Sequence, residues 1–116
     1  MNYLVLIYND ESAMLAASAA DGQAMSDAYR VFTESIVASG VMRGGDPLEP
    51  TSMTTTVRVR DGERIVTDGP YAETKEQLAG YYLIECADLD AAIEIAGRIP
   101  GASTGSIEIR PIRSMM

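Results

Sequence analysis

The residue types best suited to chemistry crowd into one stretch, Asp68-Gly69-Pro70-Tyr71-Ala72-Glu73-Thr74-Lys75-Glu76-Gln77-Leu78, followed closely by Gly80-Tyr81-Tyr82. Asp68 can accept hydrogen bonds from amides two residues on, Gly69 tolerates positive φ, and Pro70 fixes φ and removes a donor. Two readings of this turn stand side by side. Either it ends a strand and nothing more, or it holds the Asp68 carboxylate at a pocket mouth beside Glu73, Lys75 and Glu76. A carboxylate so placed would act as general acid or base, with Lys75, Tyr8, Tyr81 or the substrate handling the second proton. Lys75 or Arg43 would orient an anionic group, although Arg43, next to Gly44-Gly45, reads more readily as a solvated loop arginine. The charged run has a plainer reading too, as a solvated helical turn whose exposed ion pairs are worth ~0–1 kcal/mol each. Lys75 and Glu76 fall on different sides of such a turn, so only part of the run would touch a ligand.

Composition narrows the chemistry. The 116 residues suit one domain with one core, and 17 acidic against 9 basic residues leave a formal net charge of −8. That balance disfavours nonspecific attraction to nucleic acid or to an anionic membrane, and neither is expected as a partner. The chain has no histidine. Ser-His and Cys-His triads, a histidine base and imidazole-dependent metal sites are therefore excluded, and no cofactor is expected. Cys86 is the sole cysteine, so no internal disulfide can form, and its strand-like surroundings suit a structural thiol. No apolar run approaches the ~20 residues of a membrane helix and no secretory signal opens the chain, so the expected location is the cytoplasm.

These side chains need elements to position them. Tyr3-Leu4-Val5-Leu6-Ile7-Tyr8 is apolar on both alternating faces, which predicts a central strand covered on two sides. An alanine-rich segment from Ala13 to Ala20 is a short-helix candidate that Asp21-Gly22 interrupts. Met25, Tyr29, Phe32 and Ile36 then recur at helical steps, predicting a helix from about Ala24 to Ser39 with this stripe in the core and Gly40 ending it. Val41-Met42 begins a second strand, followed by a polar loop through Arg43-Gly44-Gly45-Asp46-Pro47 to Ser52. Thr55–Arg60 and Arg64–Thr67 flank Asp61-Gly62, the favoured residues of a two-residue type I′ turn, and this hairpin delivers the chain to Asp68. Leu78 to Cys86 reads as a strand weakened at Gly80. Asp88 caps a helix whose buried face would be Leu89, Ala92, Ile93 and Ala96, with Pro100-Gly101 stopping it. Ile107 to Ile112 forms the last strand, with Pro111 at an end or edge.

The order is that of a βαββαβ unit with an added hairpin, an α+β ferredoxin-like sandwich on an antiparallel sheet. Two helices cover only one face of such a sheet. The other face, apolar along the first strand, would be an adhesive patch, and a second copy is the economical cover.

The signature stretch resembles that of the YCII-related family, in particular its DGPF-domain branch. Met1–Tyr8, Gly44-Gly45, Thr55–Arg58 and Ile107–Pro111 are similar to that branch as well, so the resemblance spans nearly the whole chain; Tyr71 stands where the branch name calls for Phe. The resemblance implies a dimeric α+β barrel in which two sheets pack face to face. The residues themselves add the expectation of a homodimer that binds a small polar or anionic molecule, with Tyr8, Arg43, Asp68, Lys75 and Tyr81 as the binding set. The branch's association with sigma factors of the extracytoplasmic type implies a regulatory role and a related protein partner. The alternative is a lyase or isomerase. The family includes an enzyme acting on a chlorinated aromatic breakdown product through a proposed Asp-His pair; the aspartate role would fall on Asp68, and the histidine has no counterpart.

Overall fold

The first strand, β1 (Asn2–Asn9), has two faces that meet different fates in the computed structural model, which describes residues 1–114. Tyr3, Val5 and Ile7 are buried; Leu4, Leu6 and Tyr8 stay partly exposed. The chain continues through α1 (Glu11–Leu15), α2 (Ala19–Ala38), β2 (Met42–Pro47), β3 (Thr55–Arg60), β4 (Glu63–Asp68), β5 (Gln77–Glu85), α3 (Leu89–Gly97) and β6 (Ser106–Pro111). Strands β2, β5, β1 and β6 form, in that order, one antiparallel sheet, and β3 and β4 form a separate two-stranded one. This α+β arrangement is consistent with the expected ferredoxin-like sandwich carrying an extra hairpin. The core lies on one side of the sheet, where Tyr3, Val5, Ile7, Tyr82 and Ile84 meet Phe32 and Ile36 of α2, Ala92, Ile95 and Ala96 of α3, and Ile99. β1 is central, as its composition predicts, but one chain covers only one of its faces.

Local chemistry moves several boundaries. α2 starts five residues earlier than expected and runs through Asp21-Gly22. Ser18 caps it by accepting from the Asp21 amide at 3.1 Å, and the aspartate sits in the first turn, where a negative charge meets free amides. The preceding helix is correspondingly short and early, capped by Asp10, whose Oδ1 accepts from Ser12 N at 3.0 Å. Arg43 to Pro47 is strand, not loop. At Gly45 a Cβ would lie 2.8 Å from the Tyr82 ring and 2.9 Å from the Tyr81 carbonyl oxygen, so a residue without one lets β2 close onto β5. On α3 the buried residues are Ala92, Ile95 and Ala96, while Leu89 and Ile93 face outward at 49% and 52% exposure, a rotation from the expected face. The charged run is a series of bends: Thr74 Oγ1 donates to the Glu76 carbonyl and Gln77 Nε2 to the Thr74 carbonyl, both at 2.6 Å, in competition with helical bonding.

The hairpin forms in the expected register, with Asp61 and Gly62 at φ 52° and 78°, the pair of positive angles a type I′ turn requires. Between β5 and β1 the register shifts: Ile7 pairs with Gly80, Tyr8 with Leu78, and Ala79 bulges out. No helix among the described residues is long and apolar enough to cross a membrane.

The rotation of α3 is testable by urea denaturation. Ile95→Ala should cost about 2–5 kcal/mol, as a buried isoleucine does. Ile93→Ala should cost under about 1 kcal/mol. Equal costs would put the expected face back in the core.

Candidate functional site

The stripe along α2 divides. Phe32 and Ile36 are buried against the sheet, but Met25 and Tyr29, expected beside them, are only partly buried. Between this first half of α2 and the β2–β5 edge opens a cleft of about 640 Å³, within the usual range for small-molecule sites. Its walls are mostly apolar: Ile7, Met14, Met25, Met42, Pro47 and Ala79. The sheet positions Gly45 and Gly80 contribute no side chain to fill it.

Polar groups enter at a few places. Asn9 continues the inward series Tyr3, Val5, Ile7 and is the one buried polar residue among the described residues, 7% exposed. Its Oδ1 accepts from Thr104 Oγ1 at 3.2 Å. Tyr29 Oη accepts from the Gly101 amide at 3.1 Å. Gly101 permits that approach, since a Cβ there would lie 2.6 Å from the tyrosine oxygen and 3.0 Å from Asn9 Nδ2. Thr33 Oγ1 and Tyr82 Oη share a hydrogen bond of 2.7 Å, and Tyr82 packs edge-on against Phe32. Among the described residues nothing accepts a hydrogen bond from Asn9 Nδ2 or from the Tyr29 hydroxyl, so the cleft keeps two unspent donors. Burial raises the Tyr29 pKa above its ordinary value, partly offset by the Gly101 amide, which keeps that donor protonated at neutral pH. Arg30 is committed to Asp27 at 4.0 Å and to Glu34 at 3.4 Å.

The five residues singled out from sequence lie elsewhere, except at one edge. Tyr81 borders the cleft and donates to Asp46 Oδ2 at 2.8 Å. Tyr8 is on the open sheet face; its pKa is raised by burial, then by the neighbouring Glu108 carboxylate and by Tyr71, with Arg110 opposing. Arg43 bonds the Gly40 carbonyl at 2.7 Å and pairs with Glu85 at 3.6 Å. Asp68 ends β4 in solvent, and Lys75 is exposed in the following connection. Within one chain, therefore, Asp68 stays in solvent, while Tyr81 is bonded to Asp46 and Tyr82 is buried in the helix-side core. The turn itself forms as read, with Gly69 at φ 98° and its amide on the Thr54 carbonyl at 2.7 Å. Glu76 does reach the sheet, accepting from Ser106 Oγ at 2.7 Å.

A sequence model of the YCII-related domain matches residues 1–116, the full chain. The chain belongs to the YCII-related family. It is also 44% identical over 114 residues to an uncharacterized protein of Rhizobium meliloti (strain 1021), an alignment covering 97% of this chain and 92% of that protein. The sequence does not single out Asn9, Tyr29, Thr33 or Tyr82 for this cleft, since Asn9 opens the polar run Asn9-Asp10-Glu11-Ser12 and Tyr29 belongs to the apolar stripe of α2. One signal was present: an amide side chain on the inward face of an otherwise apolar strand needs partners.

The Tyr81–Asp46 pair gives a pH test. The hydrogen bond to the carboxylate, then its charge and burial, raise the Tyr81 pKa above 10.0. A raised folded-state value means the pair's contribution to stability is complete below pH about 10 and is lost as pH rises through the folded value. In absorbance titration at 295 nm, Asp46→Asn should move one tyrosine transition to lower pH; an unchanged curve would dissolve the pair.

Proposed function

We propose that this protein is a homodimeric small-molecule-binding domain in which each copy holds its ligand in the helix-side cleft. The carrying observation is the cleft itself, apolar along its walls, with the unspent donors of Asn9 and Tyr29 at one side. Such a site suits a neutral monocyclic or bicyclic molecule with an apolar body and a carbonyl or hydroxyl acceptor. An anionic ligand, expected from the sequence, is poorly supported here: Glu34 and Asp46 border the cleft, and its one cation, Arg30, is already paired with carboxylates. The partly exposed Leu4, Leu6 and Leu83 support the homodimer, because an uncovered sheet face of this kind calls for a second copy. The Asp68-Gly69-Pro70-Tyr71 corner supports the DGPF branch within the family.

A thermal-shift panel of neutral cyclic ketones, lactones and phenols tests the reading. A ligand at 100 times its Kd should stabilise the protein by ~2.7 kcal/mol. Tyr29→Phe should weaken that ligand about three- to tenfold, the worth of one hydrogen bond. Asp68→Asn should leave the affinity unchanged. Turnover that vanishes in Asp68→Asn but survives Tyr29→Phe would replace this reading with the lyase or isomerase alternative.

A further inference from the structure

Strands β3 and β4 bond to each other over six residue pairs and to no strand of the main sheet. A lone two-stranded hairpin is marginal in water unless a third layer covers it. This one turns Val57, Val59 and Val66 to a single face, Val57 directly opposite Val66, and in one chain they are 57%, 61% and 57% exposed. Beyond the hairpin's base, Tyr71 is 80% exposed.

The dimensions of the chain measure how much is left uncovered. Its radius of gyration is 16.2 Å, where a compact domain of this length has about 13 Å. Its accessible surface is 8188 Å², where a compact monomer of this size exposes about 6,100 Å². The excess, about 2,000 Å² per chain, doubles in a symmetric pair to about 4,000 Å², inside the range of obligate homodimers. Charge points the same way. Residues 55–68 carry three arginines, Arg58, Arg60 and Arg64, against Asp61, Glu63 and Asp68, so the hairpin is formally neutral. Of the chain's 9 basic and 17 acidic residues, 6 and 14 remain for the rest, which holds the whole −8. Acidic bodies repel one another, and the neutral, arginine-bearing hairpin is the segment that can approach one without that penalty.

We propose that the β3–β4 hairpin is an exchange arm, its valine face lying against the body of a second copy of this chain in a two-fold dimer. The inference rests on the homodimeric reading above and names the segment that makes the contact. Under two-fold symmetry every arm-to-body contact is made twice, so one short segment secures both copies.

The arm's base makes the test practical. Thr54 and Gly69 already meet through a backbone hydrogen bond of 2.7 Å, so residues 55–68 can be excised and the two ends joined. A second variant, Val57→Asp with Val66→Asp, keeps the chain length and decides the question if the excised chain fails to fold. Sedimentation equilibrium should find the unaltered protein dimeric. A folded arm variant, verified by far-UV circular dichroism, should raise the dimer dissociation constant at least a hundredfold. An unchanged dissociation constant overturns the arm while leaving a dimer through the open sheet faces; a monomeric unaltered protein at 100 µM overturns any second copy, the arm included. Failure of every compound in the ligand panel, with the dimer constants behaving as expected, would sink the cleft reading alone.

Discussion

A four-stranded sheet has two faces, and two helices can cover one. That inequality governs this molecule. Tyr3, Val5, Ile7, Tyr82 and Ile84 are spent on the covered side, against Phe32, Ile36, Ala92, Ile95 and Ile99, and together they form the buried core. Burying such side chains is worth roughly 1.5–3 kcal/mol each, so the covered face holds the fold together. The uncovered face keeps Leu4, Leu6 and Leu83 half in water. The hairpin repeats the imbalance, with Val57, Val59 and Val66 more than half exposed on one of its faces.

The cleft arises from a second mismatch, within the covered side. The far half of α2 sinks Phe32 and Ile36 into the core, while its near half faces glycines on β2 and β5. Where strands carry no side chains, a helix has nothing to pack against, and the gap persists because Tyr29 is held by the Gly101 amide and Tyr82 by Thr33. The same bonds that keep the gap open give it chemical character. The polar groups there are held by their neighbours, Tyr29 by the Gly101 amide and Tyr82 by Thr33, and border an otherwise apolar wall.

Much of this was legible in the sequence, for reasons that are local. Asp61-Gly62 between alternating strands specifies its own turn, Asp88 caps α3, and the double-faced apolarity of Tyr3–Tyr8 marks a central strand. The start of α2 was less legible because Asp21-Gly22 looks like a break, and only the Ser18 cap turns the same two residues into a first turn. The face of α3 is not legible locally, since Ile93 and Ile95 are equally apolar and only the packing on the sheet chooses between them. The cleft was illegible for a different reason. It is made from five separated segments, in β1, α1, α2, β2 and β5, and in part from side chains that are missing, whereas the Asp68 stretch attracts notice through residue types that the folded single chain leaves in solvent.

The bulge at Ala79 shows how little separates an open interior from a filled one. Strand residues alternate sides, so a surplus residue reverses the parity of everything beyond it. Had Tyr8 paired with Ala79, Leu78 would have swung beneath α2 beside Asn9, and Gln77, which accepts from the Glu11 amide at 2.9 Å, would have turned outward. The volume of the cleft is thus governed by a count of residues along one edge. Length variation at that point would retune capacity more abruptly than any exchange of one wall side chain for another.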